Sequence, residues 1–361
     1  MLKELLARAV ERRASDVHMK PGQVPYFRIS GHLSESGFES VSVDSMLNIV
    51  ADLLPAHLKK PFESEHEADF AHQEESVGRF RVNIYLTQGW PAIALRHVKT
   101  EVPTFEELRL PTQLKALADI TRGIVLLCGT TGSGKSTTLA AVIGEINRTI
   151  RRRIVTVEDP IEYVFEDDQS LITQREVGLD TLSFSNALKH LLRQDPEIIL
   201  IGEMRDRVSV RTALLAAETG HLVLSSLHAS NTELCVSRIL DIFPSDEQDQ
   251  VRLAIAGNLQ SIVCQRLIRD LEGNLVPAVE ILFNTSTVRK LIEKNELPTL
   301  SAAVETGREE GMQTFNQSLY DLISQGIISE EEGLRHATNP EALRMNLQGI
   351  FLDQDRRILS S

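Results

Sequence analysis

The segment GTTGSGKS at 129–136 constrains the chain more than any other. It follows the apolar run IVLLC and opens a helical pattern at Lys135, so strand, glycine-rich turn and helix come in the order that G-x-x-x-x-G-K-[ST] requires. Gly129, Gly132 and Gly134 let backbone N–H groups turn inward around phosphates, and the helix N-terminus adds its positive end. Thr130, Thr131, Ser133 and Thr137 complete the expected phosphate-binding stretch. Lys135 is expected to reach the β- and γ-phosphates, and the Ser136 hydroxyl to ligate Mg²⁺.

The strand before this loop is one of a series. From about residue 112, apolar strands alternate with helical segments: IVLLC, a helix from Lys135, RIVTVE, a helix from about Phe184, EIILIG, a helix from about Val208, then LVLSSL. Such alternation predicts an α/β fold with stacked βαβ units and a mostly parallel sheet. Past residue 245 the pattern reads as helical, with short strand-like interruptions at LIRD and LVPAVEIL. Residues 1–98 read differently, as short helices and strands ending in two strands over 78–98 joined by a turn at Gln88-Gly89. Two prolines and several charges in KTEVPTFEELRLP predict a linker over 99–111. The expected domains are therefore 1–98 and 112–361.

Several strand ends carry chemistry. In a parallel sheet the strand C-termini converge on the ligand crevice. EIILIG leads into Glu203, the carboxylate best placed to orient or deprotonate an attacking water or else a cap for the next helix, with Gly202 where a metal-associated Asp is usual. RIVTVE ends in Glu158, followed by Asp159 and Glu162; Glu158 and Glu162 either reach the metal or belong to a surface turn at Asp159-Pro160. After LVLSSL comes His228, with His221 seven residues earlier, and a histidine there is either structural or part of the site.

Composition narrows the partners. Lys and Arg total 38 against 51 Asp and Glu, a net charge of −13, which argues against an electrostatic nucleic-acid binder. Cys128, Cys235 and Cys264 are scattered and form no CxxC pair, so neither a disulfide framework nor a zinc ribbon is expected, and a reducing compartment fits. The first residues read as an amphipathic helix too charged for a signal peptide, and no apolar run approaches the ~20 residues that cross a bilayer. The expectation is a soluble protein.

Taken together, GTTGSGKST, VTVEDPIEY, LIGEMRD and GHLVLSSLHASNT resemble the Walker A, Asp box, Walker B and His box of the secretion-ATPase superfamily that powers type II secretion and type IV pili. SDVHM, GRFRVN, VPTFEEL and GMQTFNQSL extend the resemblance over essentially the whole chain, to the PilT-like retraction branch. It implies a PAS-like N-terminal domain joined to a RecA-like P-loop NTPase domain in a ring hexamer that hydrolyses ATP with Mg²⁺. Arg81 and Arg96 would be the arginines offered to the γ-phosphate, with Arg79 a weaker candidate, although period 2 alone equally makes them solvent-facing strand residues. Glu162 and His228 would sense the γ-phosphate and metal, with Glu158 and His221 as lesser candidates.

The sequence carries no tetracysteine insertion of the kind general among extension and type II secretion ATPases, and from its compact length the longer N-terminal region of those relatives is also expected to be missing. The segment VRKLIEK at 288–294 resembles the branch's AIRNLIRE element, with Lys290 where Asn is usual and Val288 where Ile or Ala stands. The resemblance implies a cytoplasmic motor, peripheral at the inner membrane through a pilus platform protein, and engaged with other pilus ATPases rather than with nucleic acid. An accessory paralogue that regulates the principal motor and a RecA-like nucleic-acid motor are the competing readings.

Overall fold

The computed structural model describes residues 1–350 other than Ser30 and Lys99, so part of the expected linker and the last residues of the expected second domain lie outside the described residues. The chain divides into two compact units. The first comprises Met1–Glu101 with Ile161–Val164; the second comprises Val102–Pro160 and the described residues from Phe165 onward.

The first unit runs α1 (Leu2–Glu11), β1 (Asp16–Met19), β2 (Tyr26–Ile29), β3 (His32–Glu35), α2 (Val43–Leu53), α3 (Lys59–Glu65), β4 (Glu67–Glu74), β5 (Gly78–Thr87) and β6 (Trp90–Val98). Its strands form one antiparallel sheet in the order β3-β2-β1-β6-β5-β4, a PAS-like arrangement. Phe80, Val82 and Ile84 alternate along β5 and are completely buried, while Arg79 and Arg81 share the opposite face. The β5–β6 turn falls on Gln88-Gly89, both at positive φ (53° and 82°), as a two-residue hairpin whose twist matches its strands requires. The helical pattern read over 43–60 is two helices, because Leu54 adopts an extended backbone ahead of Pro55.

The second unit begins at Val102. Phe105 and Leu110 are buried in its core, so the stretch 102–111, read from its prolines and charges as linker, packs with this unit. It continues with β7 (Gly123–Cys128), α4 (Lys135–Thr149), β8 (Arg153–Glu158), β9 (Leu171–Glu176), α5 (Phe184–Leu191), β10 (Ile198–Ile201), α6 (Arg207–Glu218), β11 (Leu222–Leu227), α7 (Thr232–Asp241) and α8 (Ser245–Asn258). A long antiparallel hairpin follows, β12 (Leu259–Arg269) and β13 (Leu275–Phe283), where sequence periodicity suggests only short interruptions. Five helices close the described chain: α9 (Ser286–Glu293), α10 (Leu300–Thr306), α11 (Phe315–Ser324), α12 (Glu330–His336) and α13 (Pro340–Leu347).

The sheet order is β13-β12-β7-β11-β10-β8-β9, parallel throughout except for β13, which is the mostly parallel, RecA-like core that the alternating pattern predicts. Both faces are covered. Along β7, Ile124, Leu126 and Cys128 join one apolar cluster while Val125 and Leu127 join the other, which is why the strand reads as an unbroken hydrophobic run.

Candidate functional site

Because β7, β11, β10 and β8 are adjacent and parallel, their C-terminal ends lie along one edge of the sheet. Gly129 leaves β7 there, Glu158 ends β8, Gly202 and Glu203 follow β10, and His228 follows β11. The topology thus assembles four segments that are far apart in sequence.

The loop from 129 to 134 takes the shape that its glycines permit. Gly132 and Gly134 have φ of 78° and 86°. A Cβ on Gly129 would stand 2.3 Å from Ser133 Oγ and 2.6 Å from the Gln265 carbonyl, so the close approach admits no side chain. Lys135, buried, donates from Nζ to the carbonyls of Gly129 and Thr130, both at 3.0 Å, and so holds its ammonium across the loop. Helix α4 starts on Gly134, which offers no side-chain cap and leaves the first amides for an anion. Ser133 Oγ is buried with no hydrogen-bond partner, and Thr130, Thr131 and Gly132 are exposed at the mouth, with Ser136 and Thr137 half-buried. This cradle fits a nucleotide's phosphates, and the Ser136 hydroxyl at the first turn of α4 fits a magnesium ligand.

Gln265, on β12, holds the loop from beneath. Its Nε2 donates to the Ser133 carbonyl and its Oε1 accepts from Thr138 Oγ1, both at 2.8 Å and both buried. Sequence reading missed this residue, since nothing short of the β12–β7 pairing brings it to residues 133–138. Beside it a cavity of about 360 Å³ is lined by Leu108, Gly134, Thr137, Leu267 and Leu275, with the Arg109–Asp270 ion pair (3.1 Å) on its wall.

The acid after β10 is the centre of a second cluster. Glu203, whose side chain is 16% exposed, places Oε1 3.3 Å from His228 Nε2 and Oε2 2.7 Å from Arg205 Nη2. Arg205, absent from the sequence reading, has its pKa raised by that hydrogen bond. The strand end is pinned by the two serines of LVLSSL: Ser225 Oγ donates to the Ile201 carbonyl and Ser226 Oγ to the Gly202 carbonyl, each at 2.7 Å. Arg238 of α7 donates to the His228 carbonyl, and Asn231 caps α7 by accepting from Leu234 N at 2.8 Å.

Gly202 has a packing reason. A Cβ there would lie 3.3 Å from the Val157 carbonyl oxygen and 3.4 Å from Glu158 Cα, tighter than an ordinary contact. Glu158 itself is buried and accepts hydrogen bonds at Oε1 from Thr156 Oγ1 (2.6 Å) and Gln174 Nε2 (3.2 Å).

His221 does not join these groups. It precedes β11, at the opposite end of the strand from His228, and its Nδ1 lies 2.9 Å from the Ala216 carbonyl and 3.0 Å from Thr219 Oγ1. With seven steps of ~3.3 Å along the strand from one histidine to the other, they are about 23 Å apart. His221 fastens the end of α6, and its place among the nucleotide-site candidates is withdrawn.

In the first unit, Arg81 and Arg96 are cross-strand partners on β5 and β6. Arg96 Nε donates to Asp16 Oδ1 at 2.8 Å while two-thirds of its side chain remains exposed. Burial raises the Asp16 pKa, but hydrogen bonds from Ser15 and Arg96 and the Arg96 charge outweigh it, and the net direction is down. Arg79, opposite Val98, lies two residues from Arg81 on the same face. Glu162 is exposed and belongs to the segment 161–164 that groups with the first unit.

A glycine-rich loop between β7 and α4, with an acid after β10, the next strand but one in a RecA-like sheet, defines a P-loop ATPase. The chain belongs to the type II/IV secretion system protein family, whose model matches residues 1–280. It is 40% identical over 338 residues to the type IV pilus retractation ATPase PilT of Pseudomonas aeruginosa, covering 94% of this chain and 98% of that one. It is also 40% identical to that organism's type IV pilus ATPase PilU over 359 residues, covering 99% of this chain and 94% of PilU. Among solved structures, the crystal structure of the pilus retraction motor PilT with bound ADP matches with a TM-score of 0.87 at 39% identity, covering 94% of this chain and 98% of that one.

Proposed function

We propose that this ATPase is a hexameric motor that drives retraction and disassembly of type IV pili. The observation that carries the reading is 40% identity along nearly the whole length of a pilus retraction ATPase, joined to a chain that retains Lys135 and Glu203 in ordered positions.

In the proposed mechanism, ATP lays its phosphates on the amides of 129–137, with its base in the cavity lined by Leu108, Leu267 and Leu275. Lys135 turns from the loop carbonyls to the β- and γ-phosphates. Ser136 and Glu162 would hold Mg²⁺, which when bound would supply neutralisation of the phosphate charge. Glu203 orients and deprotonates the attacking water. His228 holds the Glu203 carboxylate and reports the γ-phosphate to α7. Arg81 and Arg96 of the first unit neutralise charge developing in the transition state, which requires Arg96 to leave Asp16. Closure on ATP and reopening after product release convert turnover into motion. The first unit acts as the nucleotide-closing domain and the second, from Val102, as the ATPase core.

Among the described residues no helix is long and apolar enough to cross a membrane, so attachment to the inner membrane from the cytoplasm would run through the pilus platform protein. The net charge of −13 speaks against nucleic acid as the partner. Equal identity to PilU supports a second reading, an accessory motor that engages another pilus ATPase. The test is a count of surface pili and twitching in the native host carrying Glu203→Gln. More pili without twitching supports the retraction motor; unchanged pili and twitching supports the accessory reading.

A further inference from the structure

The three cysteines that look scattered in the sequence meet in the core. Cys128 ends β7, Cys235 lies on α7 and Cys264 on β12; all three are fully buried and reduced. Cys128 Sγ and Cys235 Sγ are 3.2 Å apart, and Cys264 is the direct cross-strand partner of Cys128 on the same face of the sheet. Buried cysteines ordinarily act as small apolar residues. What distinguishes this group is that thiols from three elements converge on the residue bonded to Gly129, whose carbonyl accepts from Lys135.

We infer that Cys128 and Cys235 form a reversible redox couple that, on oxidation by a hydroperoxide, closes a disulfide and lowers the affinity of the neighbouring loop for nucleotide. The Cys128 thiolate attacks one peroxide oxygen, giving a sulfenic acid and hydroxide. The Cys235 thiol then attacks the sulfenic sulfur, the S–O bond breaks and water leaves. Both thiol protons end in water, so two thiols and one hydrogen peroxide give one disulfide and two waters, with the thiols oxidised and the peroxide reduced.

The surroundings sort the roles. Burial raises the Cys128 pKa, but hydrogen bonds from Cys235 and Cys264 and the charges of Lys135 and His228 outweigh it and bring it down. Cys235 is pushed up by its hydrogen bond to Cys128 and by burial, and Cys264 by burial first. Cys128, bonded to the loop residue Gly129, is the attacking sulfur of this couple, and Cys235 on α7 is the resolving one. Cys235 takes that role because its Sγ already lies 3.2 Å from Cys128 Sγ, whereas the backbone of Cys264 is fixed beside Cys128 by the strand ladder.

A disulfide requires the sulfurs to close from 3.2 Å to about 2.05 Å. That draws the end of β7 and helix α7 together. One end of the movement is the residue before Gly129; the other is the helix whose Arg238 holds the His228 carbonyl. Both halves of the site then leave the arrangement in which Lys135 spans the loop. The inference holds whichever process the motor drives.

The test treats the purified full-length protein with hydrogen peroxide, quenches it, maps disulfides by mass spectrometry of unreduced digests, and titrates ADP before and after dithiothreitol. The expected result is a Cys128–Cys235 linked peptide, a fall in ADP affinity of at least about tenfold, and recovery on reduction. Cys235→Ser should form no such link and keep its ADP affinity through the same treatment, while Cys264→Ala should still form it. If Cys235→Ser does not fold, wild-type protein saturated with ADP serves instead, and bound nucleotide should slow the linkage. Folded wild-type protein that yields no Cys128–Cys235 link, or a link that leaves ADP affinity unchanged, overturns the inference.

Discussion

Glu203 Oε1 lies 3.3 Å from His228 Nε2, a contact between the ends of two neighbouring parallel strands, β10 and β11. The pair links the acid that follows β10 to the segment that opens α7, so a change at the carboxylate has a direct path to a helix. Glu203 also holds Arg205, which orients its carboxylate.

Glu203→Gln is expected to keep nucleotide binding and lose turnover, since the amide preserves the shape but cannot take a proton. General-base removal costs ~10²–10⁴-fold in rate. Phosphate release and ADP titration on the same preparation check it. Equal turnover in variant and wild type would remove Glu203 from the role of base.

Lys135→Ala is expected to abolish nucleotide binding at micromolar concentrations. The substitution removes the ammonium and also leaves the Gly129 and Thr130 carbonyls without their donor. A charged hydrogen bond contributes ~1.5–3 kcal/mol; the loop loses two and the phosphates lose their ammonium partner. Calorimetric titration with ADP is the measurement, and a Kd within twofold of wild type would contradict the assignment.

Much of this was readable in the chain. The helix starting at Lys135, the apolar strands, and the acids and histidine at their ends follow from period and spacing, because a parallel sheet with both faces covered makes its strands uniformly apolar. Less legible were contacts that depend on strand order. Gln265 looks like an ordinary polar residue until β12 pairs with β7, and the β12–β13 hairpin was masked because its residues are buried on both faces and show no alternation. His221 and His228 look alike in sequence; only the direction of β11 separates them. Gly202 reads as a missing acid and is a contact with β8.

Gly202→Asp, which restores the acid common at this position, is expected to impair the protein. Its Cβ would press on the Val157 carbonyl at 3.3 Å, and its carboxylate would enter beside Glu158, whose Cγ is 3.8 Å from that Cβ. Overpacking at such a site costs ~1–3 kcal/mol before the like charges are added. Thermal unfolding together with ATPase assay checks it; a variant as stable and active as wild type would show that β8 and β10 separate freely.

Gln265→Ala is expected to weaken ADP binding and lower stability together. It removes the donor to the Ser133 carbonyl and the acceptor for Thr138, both buried. Leaving buried partners unsatisfied costs ~1–3 kcal/mol each. Gln265→Glu separates the two bonds, because its carboxylate still accepts from Thr138 but cannot donate to Ser133. If the loop depends on the Ser133 bond, the Glu variant should bind ADP as poorly as the Ala variant; ADP affinity near wild type would assign the effect to Thr138.

Glu280 gives the protein a pH dependence whose sign can be stated. On β13 it accepts from Thr232 N at 2.8 Å, and burial raises its pKa above the ordinary carboxylate value, against the hydrogen bonds from Thr232 and the Arg266 charge. A carboxyl whose folded pKa is raised favours the protonated form in the folded state. Its contribution to stability is therefore complete below the unfolded value of ~4.3 and is lost as pH rises through the folded pKa. The variant Glu280→Gln keeps an acceptor for Thr232 N and has nothing to ionise at this position. The difference in melting temperature, variant minus wild type, should accordingly grow from about pH 4 to about pH 7. Melting curves across that range decide it, and a difference that shrinks with rising pH would mean that the ionised carboxylate stabilises the start of α7.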